Sequence, residues 1–381
     1  MNPTNIEWCD FTWNPVTGCF GPKVSPGCDN CYAERTMNTR LRHLRRYDGD
    51  KEPFQNCLFH EDRLLQPLRR KKPSRIFVCS MSDLFHDLVV DEWLAQIFTV
   101  MALCPQHTFM LLTKRPGRMR DWISDETDNG GVLLFNALHD VCARAGLDPD
   151  AVNSSITWPL PNVWLGVTVC NQAELVRHLP VLLQTPAAKR YLCFEPFLGA
   201  VDVRKAYPQD YMHCSLCKWH GFNDELEHRT VGIYEEEFCP DCGNDGTFAL
   251  DYPHEDSELA LGGIDWVICG GETGPGARPM HPDWVRGLRD QCGASRSQPT
   301  PFFFKGWGEW LPSSQAAEYE KKYGGIVPGG HYGRLWPNGV FQYQQPPAYY
   351  AKSEKAVLIF RVGKRRSGRL LDGEEWSEVP K

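Results

Sequence analysis

Arg75-Ile76-Phe77-Val78-Cys79-Ser80-Met81-Ser82-Asp83 passes from an apolar run to small polar residues within one step, and the same change of character recurs along the chain. A short apolar run with no polar alternation is what a strand buried on both faces requires. Five further runs share it: Thr108-Phe109-Met110-Leu111-Leu112, Val163-Trp164-Leu165-Gly166-Val167, Arg190-Tyr191-Leu192-Cys193-Phe194, Ile264-Asp265-Trp266-Val267-Ile268 and Pro301-Phe302-Phe303-Phe304. Polar or glycine-rich residues follow each: Thr113-Lys114-Arg115, Thr168, Glu195-Pro196, Gly270-Gly271-Glu272 and Lys305-Gly306-Trp307. Amphipathic stretches of helical length lie between them, among them Asp91 to Cys104, Gln172 to Gln184 and Pro282 to Cys292. Strands that alternate with helices predict a parallel α/β fold. In a barrel the polar residues would gather at the C-terminal mouth, where chemistry is placed. Six runs, with a short one near Ile6 to Thr12, predict an incomplete parallel (β/α) barrel, and a doubly wound sheet is the alternative.

The barrel-like part takes residues 1–205 and 263–310. Between them, residues 206–262 turn polar, acidic and cysteine-bearing, which marks an insertion with the character of a zinc ribbon. Residues 311–381, rich in Tyr, Gly, Pro and Gln, hold one more strand candidate, Ala356-Val357-Leu358-Ile359-Phe360, and a basic run from Arg361 to Arg369. They read as a C-terminal appendage or cap.

With 381 residues and 42% hydrophobic content the chain can build a sizeable core. Its 48 acidic against 41 basic residues exclude a surface that is cationic as a whole. The start Met1-Asn2-Pro3-Thr4-Asn5 lacks the features of a signal peptide, and no apolar stretch approaches a membrane span, so a cytoplasmic protein without membrane partners is expected. Sixteen cysteines in such a chain point to metal ligands and buried thiols rather than disulfides.

Two cysteine constellations stand out. Cys214-Ser215-Leu216-Cys217 and Cys239-Pro240-Asp241-Cys242 are paired C-x-x-C knuckles, which let four thiolates surround one tetrahedral Zn2+. Such a closed site folds a small insertion and offers no open position to a substrate. Near the N-terminus, Trp13-Asn14-Pro15-Val16-Thr17-Gly18-Cys19 is followed by Ser25-Pro26-Gly27-Cys28-Asp29-Asn30-Cys31-Tyr32-Ala33, leading into a helix from about Tyr32 to Arg45. Three thiolates suit a [4Fe–4S] cluster with one iron left for a chelating ligand. A second zinc site with an unseen fourth ligand is the alternative.

At these residues, and at Ser80-Met81-Ser82-Asp83-Leu84-Phe85, Leu112-Thr113-Lys114-Arg115-Pro116, Leu165-Gly166-Val167-Thr168, Phe194-Glu195-Pro196, Gly270-Gly271-Glu272 and Phe303-Phe304-Lys305, the sequence resembles an uncharacterised family of phage and prophage proteins grouped with the radical S-adenosylmethionine enzymes. The resemblance implies a partial barrel in which a cluster on Cys19, Cys28 and Cys31 binds S-adenosylmethionine. Electron transfer from the cluster would cleave the sulfonium and release a 5′-deoxyadenosyl radical that abstracts hydrogen from a substrate. The cysteine spacing departs from the superfamily's commonest C-x-x-x-C-x-x-C, because Cys19 is set well apart from Cys28 and Asn30 precedes Cys31. Gly270-Gly271-Glu272 looks like the superfamily's amino-group motif but follows a late strand.

Lys114, Glu195, Glu272 and Lys305, charged residues directly after apolar runs, are the candidate catalytic residues, with Arg115 beside them. Ser80, Ser82, Asp83, Thr168, Gly270 and Gly271 are the candidate cofactor contacts, and Trp307 and Trp310 a candidate flat wall. Arg40, Arg42, Arg45 and Arg46, and the cluster Arg69-Arg70-Lys71-Lys72, could form a local phosphate-binding face. The expected partners are a nucleobase or nucleotide substrate, free or in nucleic acid, and an electron donor such as a flavodoxin or ferredoxin. Two rivals stay open: a non-catalytic nucleic-acid-binding protein with zinc in both sites, and a hydrolase or transferase with structural cysteines. Against the second, no G-x-S-x-G, P-loop or strand-borne G-x-G-x-x-G is present.

Overall fold

The computed structural model describes residues 1–43, 53–128, 132–150, 156–208, 211–214, 216, 219–231, 234–243, 248–250, 261–294, 299–324, 331–343 and 356–381. An eight-stranded sheet dominates it. Its strands are β1 (Asn2–Pro3), β2 (Phe11–Trp13), β3 (Arg75–Val78), β4 (Thr108–Thr113), β5 (Val163–Thr168), β6 (Lys189–Phe194), β7 (Trp266–Gly270) and β8 (Phe302–Gly306). They lie side by side in chain order. β1 pairs antiparallel with β2, and every later neighbour is parallel. All six expected runs are strands of this sheet. A doubly wound sheet reverses strand order at a switch point. Here the order never reverses.

Helices α2 (Asp91–Ala102), α3 (Pro116–Asp128), α4 (Val132–Ala145), α5 (Gln172–Leu183) and α6 (Pro282–Cys292) lie between the strands, while α1 (Tyr32–Thr36) follows the cysteines. Alternate strand residues divide between two cores, as the two-residue period of a strand dictates. Ile76, Val78, Phe109, Leu111, Leu165, Leu192, Val267 and Phe304 share the larger core with the helices. Their neighbours Phe77, Met110, Trp164, Tyr191, Trp266 and Phe303 face the other way and form a second core with Trp8. Gly166 has no side chain because the Tyr191 ring fills that space, 2.3 Å from where a Cβ would stand.

The second core shows that the sheet is strongly curved. The ring of Trp8 lies 4.8 Å from Phe77 on β3 and 6.5 Å from Trp266 on β7. In a flat sheet those strands would be roughly 19 Å apart. The sheet therefore curls into a trough with Trp8 inside. Its hydrogen bonding stays open, with β1 and β8 as edges. The C-terminal residues cover the β8 edge: Phe303 bridges Ser377, and the Phe304 and Glu378 amides bond to the carbonyls of Trp376 and Phe302.

Between β6 and β7 the described residues form short antiparallel strands and no α-helix. Tyr211–Cys214 pairs with His220–Phe222 and Phe248–Leu250, and Glu227–Val231 pairs with Tyr234–Phe238. After β8, Trp310–Pro312, Val357–Arg361, Tyr332–Leu335 and Phe341–Tyr343 form a four-stranded antiparallel sheet in that spatial order. The last strand candidate of the sequence, Ala356 to Phe360, is thus inside this small sheet.

Candidate active site

The segment from Asn14 to Cys31 lies across the C-terminal ends of β3 to β8 and is fastened at three places. Asn14 Oδ1 accepts from the Met81 amide at 2.9 Å and from Ser80 Oγ at 3.2 Å. Gly18 donates its amide to the Met81 carbonyl at 3.0 Å, and its own carbonyl accepts from Ser82 Oγ at 2.6 Å. Its φ of +91° and a Cβ position 1.8 Å from the Asn56 carbonyl oxygen admit only glycine. Ser25 Oγ accepts from the Gly27 amide at 3.1 Å, which sets the turn that presents Cys28.

The third fastening is a clamp from the far side of the sheet. Both Glu272 oxygens accept from the Arg278 guanidinium, at 2.6 and 2.9 Å, and Oε2 also accepts from Asn30 Nδ2 at 3.1 Å. Arg278 reaches on to the Pro26 carbonyl at 2.8 Å and to Asp29 Oδ2 at 3.2 Å. Glu272, Asn30 and Arg278 thereby lock the loop between Cys28 and Cys31 to the end of β7.

A cavity of about 400 Å³ opens between this segment and the strand ends. Cys19, Cys28 and Cys31 form one wall. Ser80, Ser82 and Asp83 after β3, Lys114 after β4, Thr168 at the end of β5, Glu195 after β6, Gly271 and Glu272 after β7, and Lys305 on β8 line the rest. Gly270 lines an adjoining annexe of about 170 Å³. Trp307 and Trp310 are buried, their indole N–H groups bonded to the carbonyls of Leu370 and Ala277, and line neither space.

Convergence does not make every such residue available. The Ser80 and Ser82 hydroxyls are spent on the cysteine segment, and Glu272 on Arg278. Asp83 is saturated as well: it accepts from Thr113 Oγ1 at 2.7 Å, from the Lys114 amide at 3.0 Å and from Arg115 Nη1 at 3.1 Å. Through that last bond it aims Arg115 at Cys19, with Nη1 3.8 Å from Sγ. Burial pushes the Cys19 thiol up to about 12, with Arg115 opposing the shift.

Three groups keep chemical capacity. Lys305 Nζ and Glu195 Oε1 form an ion pair at 2.5 Å inside the cavity. Burial works against the Lys305 ammonium, yet the carboxylate outweighs it and raises the pKa. Thr168 is 1% exposed and its hydroxyl has no hydrogen-bond partner among the described residues. The Lys114 ammonium, among the described residues, has neither a hydrogen-bond acceptor nor an ion-pair partner. Burial lowers its pKa, but the nearby Cys28 and Cys170 sulfurs and Asp83 raise it by more. Half-buried on the cavity wall, that ammonium is free to meet an anionic ligand.

Arg278 and Asn14 do most to hold the site, and both escaped the sequence reading. Asn14 lay in a quoted motif without a role, and Arg278 sits in a loop where spacing carries no signal.

In the insertion, the sulfurs of Cys214, Cys239 and Cys242 lie within 4.8 Å of one another and could hold a metal ion. Cys214 and Cys242 are 3.8 Å apart, the edge expected of a thiolate tetrahedron with bonds of about 2.3 Å. The Gly243 amide bonds back to the Cys239 carbonyl at 2.8 Å with φ at +67°, closing the knuckle. Cys217 lies outside the described residues. Among those residues no other trio of Cys, His, Asp or Glu groups gathers as tightly, so Cys19, Cys28 and Cys31 stand further apart around their cavity.

Fold and site together define a mixed α/β protein with a large, mostly parallel sheet and a cysteine group able to hold a metal ion. The chain belongs to the family described as Protein of unknown function (DUF5131), whose model matches residues 3–380. The match thus spans the insertion and the C-terminal part as well as the sheet. No curated protein and no solved structure matches the chain. Among the described residues no helix is long and apolar enough to cross a membrane.

Proposed function

We propose that the protein is a radical S-adenosylmethionine enzyme on an incomplete parallel barrel, with a [4Fe–4S] cluster on Cys19, Cys28 and Cys31 and a structural Zn2+ on Cys214, Cys239, Cys242 and Cys217. The observation that carries it is the single cavity shared by the three N-terminal cysteines and the polar ends of six successive strands. Two features support the donor set. Cys19, Cys28 and Cys31 line one cavity together, with the Arg115 guanidinium 3.8 Å from the Cys19 sulfur as a cation beside a thiolate ligand. Lys114 lines the same cavity as the three cysteines, where its ammonium would balance the negative charge of thiolate-bound iron.

A cluster held by Cys19, Cys28 and Cys31 would supply the electron for reductive cleavage of S-adenosylmethionine at its sulfonium. The chain's own residues do the rest. Arg278, Glu272 and Asn30 hold the cysteine loop, Asp83 positions Arg115 against Cys19, and the Thr168 hydroxyl offers a hydrogen bond to the ligand. The Lys305–Glu195 pair can hold or pass a proton at the substrate. The trough's aromatic floor keeps water from below. A flavodoxin or ferredoxin would supply the electron.

Anaerobic reconstitution with iron and sulfide, metal analysis, and electron paramagnetic resonance with and without S-adenosylmethionine test this reading. About four irons and one zinc per chain are expected, with a signal that shifts on adding the cofactor and vanishes in a Cys19→Ala, Cys28→Ala, Cys31→Ala variant. Zinc in both sites and no cofactor effect would instead make this a non-catalytic zinc protein.

A further inference from the structure

The cavity leaves one feature of its rim unexplained. The basic run Lys364-Arg365-Arg366-Ser367-Gly368-Arg369 is packed against the loop that follows β8. Ser367 Oγ donates to the Gly308 carbonyl at 2.7 Å, and the Trp307 amide donates to the Gly368 carbonyl at 3.2 Å. Lys364 lines both the cavity and the annexe, so the run begins on the rim. Lys364, Arg365 and Arg366 are exposed. Among the described residues Arg365 and Arg366 have no acidic partner, and Lys364 meets only Glu7, at 3.7 Å. Other arginines of the C-terminal half are neutralised: Arg286 and Arg289 converge on Asp372, at 2.6 and 3.4 Å. In a chain of net charge −7, an anchored segment beside a cavity that carries two exposed arginines, Arg365 and Arg366, without acidic partners among the described residues is a local exception.

The annexe is lined by Lys305, Lys364 and Arg369 with Glu7 and Glu195 among them, so its cations are paired: Lys305 with Glu195, Lys364 with Glu7 and Arg369 with Glu375 at 3.4 Å. The outward-facing Arg365 and Arg366 are the cations left for a ligand. Elsewhere on the cavity lining, Phe20 and Tyr32 are 52% and 45% exposed. The Phe20 backbone is anchored: His86 Nδ1 accepts from the Leu88 amide at 3.0 Å, which leaves Nε2–H to donate to the Phe20 carbonyl at 2.5 Å. Exposed aromatics with a basic track are the elements of a single-strand binding surface: rings stack bases and cations follow the phosphates. A cavity of about 400 Å³ is far too small for a duplex, so a target base would have to leave its stack to reach it.

We propose that Lys364, Arg365 and Arg366 bind the phosphodiester backbone of a single-stranded polynucleotide, one base of which enters the cavity past Phe20 and Tyr32. This names the substrate class of the enzyme proposed above and rests on that reading for its chemistry, while the binding itself needs neither iron nor S-adenosylmethionine. The test is fluorescence anisotropy with the iron-free full chain and a fluorescein-labelled 15-nucleotide mixed-sequence single-stranded DNA, with the matching RNA and duplex DNA as further arms.

Salt-dependent binding of one or both single strands, tighter than of the duplex, is expected. K364Q/R365Q/R366Q should weaken it at least tenfold and lower the slope of log affinity against log salt by about two, near 0.7 for each lost phosphate contact. F20A/Y32A should weaken it with the salt slope unchanged. Lys71 and Lys72, expected from the sequence as part of a phosphate-binding face, precede β3 and so lie at the N-terminal ends of the parallel strands, away from the cavity, and K71Q/K72Q should stay within twofold. No binding, equal affinity for the duplex, or equal loss in K71Q/K72Q and the triple variant would overturn the proposal. A chain that binds the oligonucleotide yet takes up no iron would leave this inference standing and remove the radical-enzyme reading.

Discussion

Arg278 Nη2 lies 2.6 Å from Glu272 Oε1, and the same nitrogen donates to the Pro26 carbonyl at 2.8 Å, so one guanidinium joins the end of β7 to the loop between two cysteines. Glu272 was a candidate catalytic residue on its position after a strand. Its bonds assign it a positioning role, because both oxygens already have donors.

Replacing Arg278 with Ala should therefore cost about 2–4 kcal/mol, since it leaves the Glu272 carboxylate, 5% exposed, without its cation. Glu272→Gln, which keeps an acceptor, should cost less. Urea unfolding of both variants measures this, and equal stability of R278A and the parent would show that the clamp holds nothing.

Gly18→Ala tests the second fastening. A positive φ costs a non-glycine residue about 1–3 kcal/mol, and the Asn56 carbonyl must also move. The variant should be destabilised by at least that amount, with reduced iron uptake on reconstitution. Gly21→Ala also meets a positive φ, of +95°, but has open space around it. It should pay the backbone cost alone, and comparing the two melting curves separates strain from clash.

Lys114→Met removes the unpaired cation that lines the cavity with the cysteines. If an iron–sulfur cluster resides there, its midpoint potential should fall on the order of 100 mV, the Coulomb effect of a unit charge several ångström away at an effective dielectric near 20. Dye-mediated titration followed by electron paramagnetic resonance reads the shift. An unchanged potential would place the ammonium too far from the cluster to matter.

Asp372 provides a pH test far from the cavity. The Arg286 guanidinium holds its carboxyl down at about 2, below the ordinary 3.8. A depressed folded-state pKa adds stability that is fully present above about pH 4 and is lost as pH falls toward 2. Asp372 is 37% exposed, so solvent screening limits the effect to below about 1 kcal/mol. Asp372→Asn, which tolerates the φ of +55° at this position, should flatten the change in urea midpoint between pH 5 and pH 3.

The sequence by itself determined the strands, most of the inter-strand helices it singled out, and the two cysteine groups. Those features are local: an apolar run such as Val163 to Val167 is buried in any fold that accepts it, and α6 begins and ends where its pattern does, at Pro282 and Cys292. Paired knuckles likewise carry their geometry in their spacing, which brings Cys214 and Cys239 together with Cys242. Only the tertiary structure decided what the polar residues do. Ser80, Ser82, Asp83 and Glu272 were legible as strand-end residues, but whether a hydroxyl or carboxylate is spent on the chain or left for a ligand depends on partners elsewhere in the fold: Asn14 and Gly18 for the serines, Thr113 and Arg115 for Asp83, Asn30 and Arg278 for Glu272. The curvature that puts Trp8 against both Phe77 and Trp266 is equally invisible in the pattern, because a two-residue period says which face a side chain takes and nothing about how far the sheet bends.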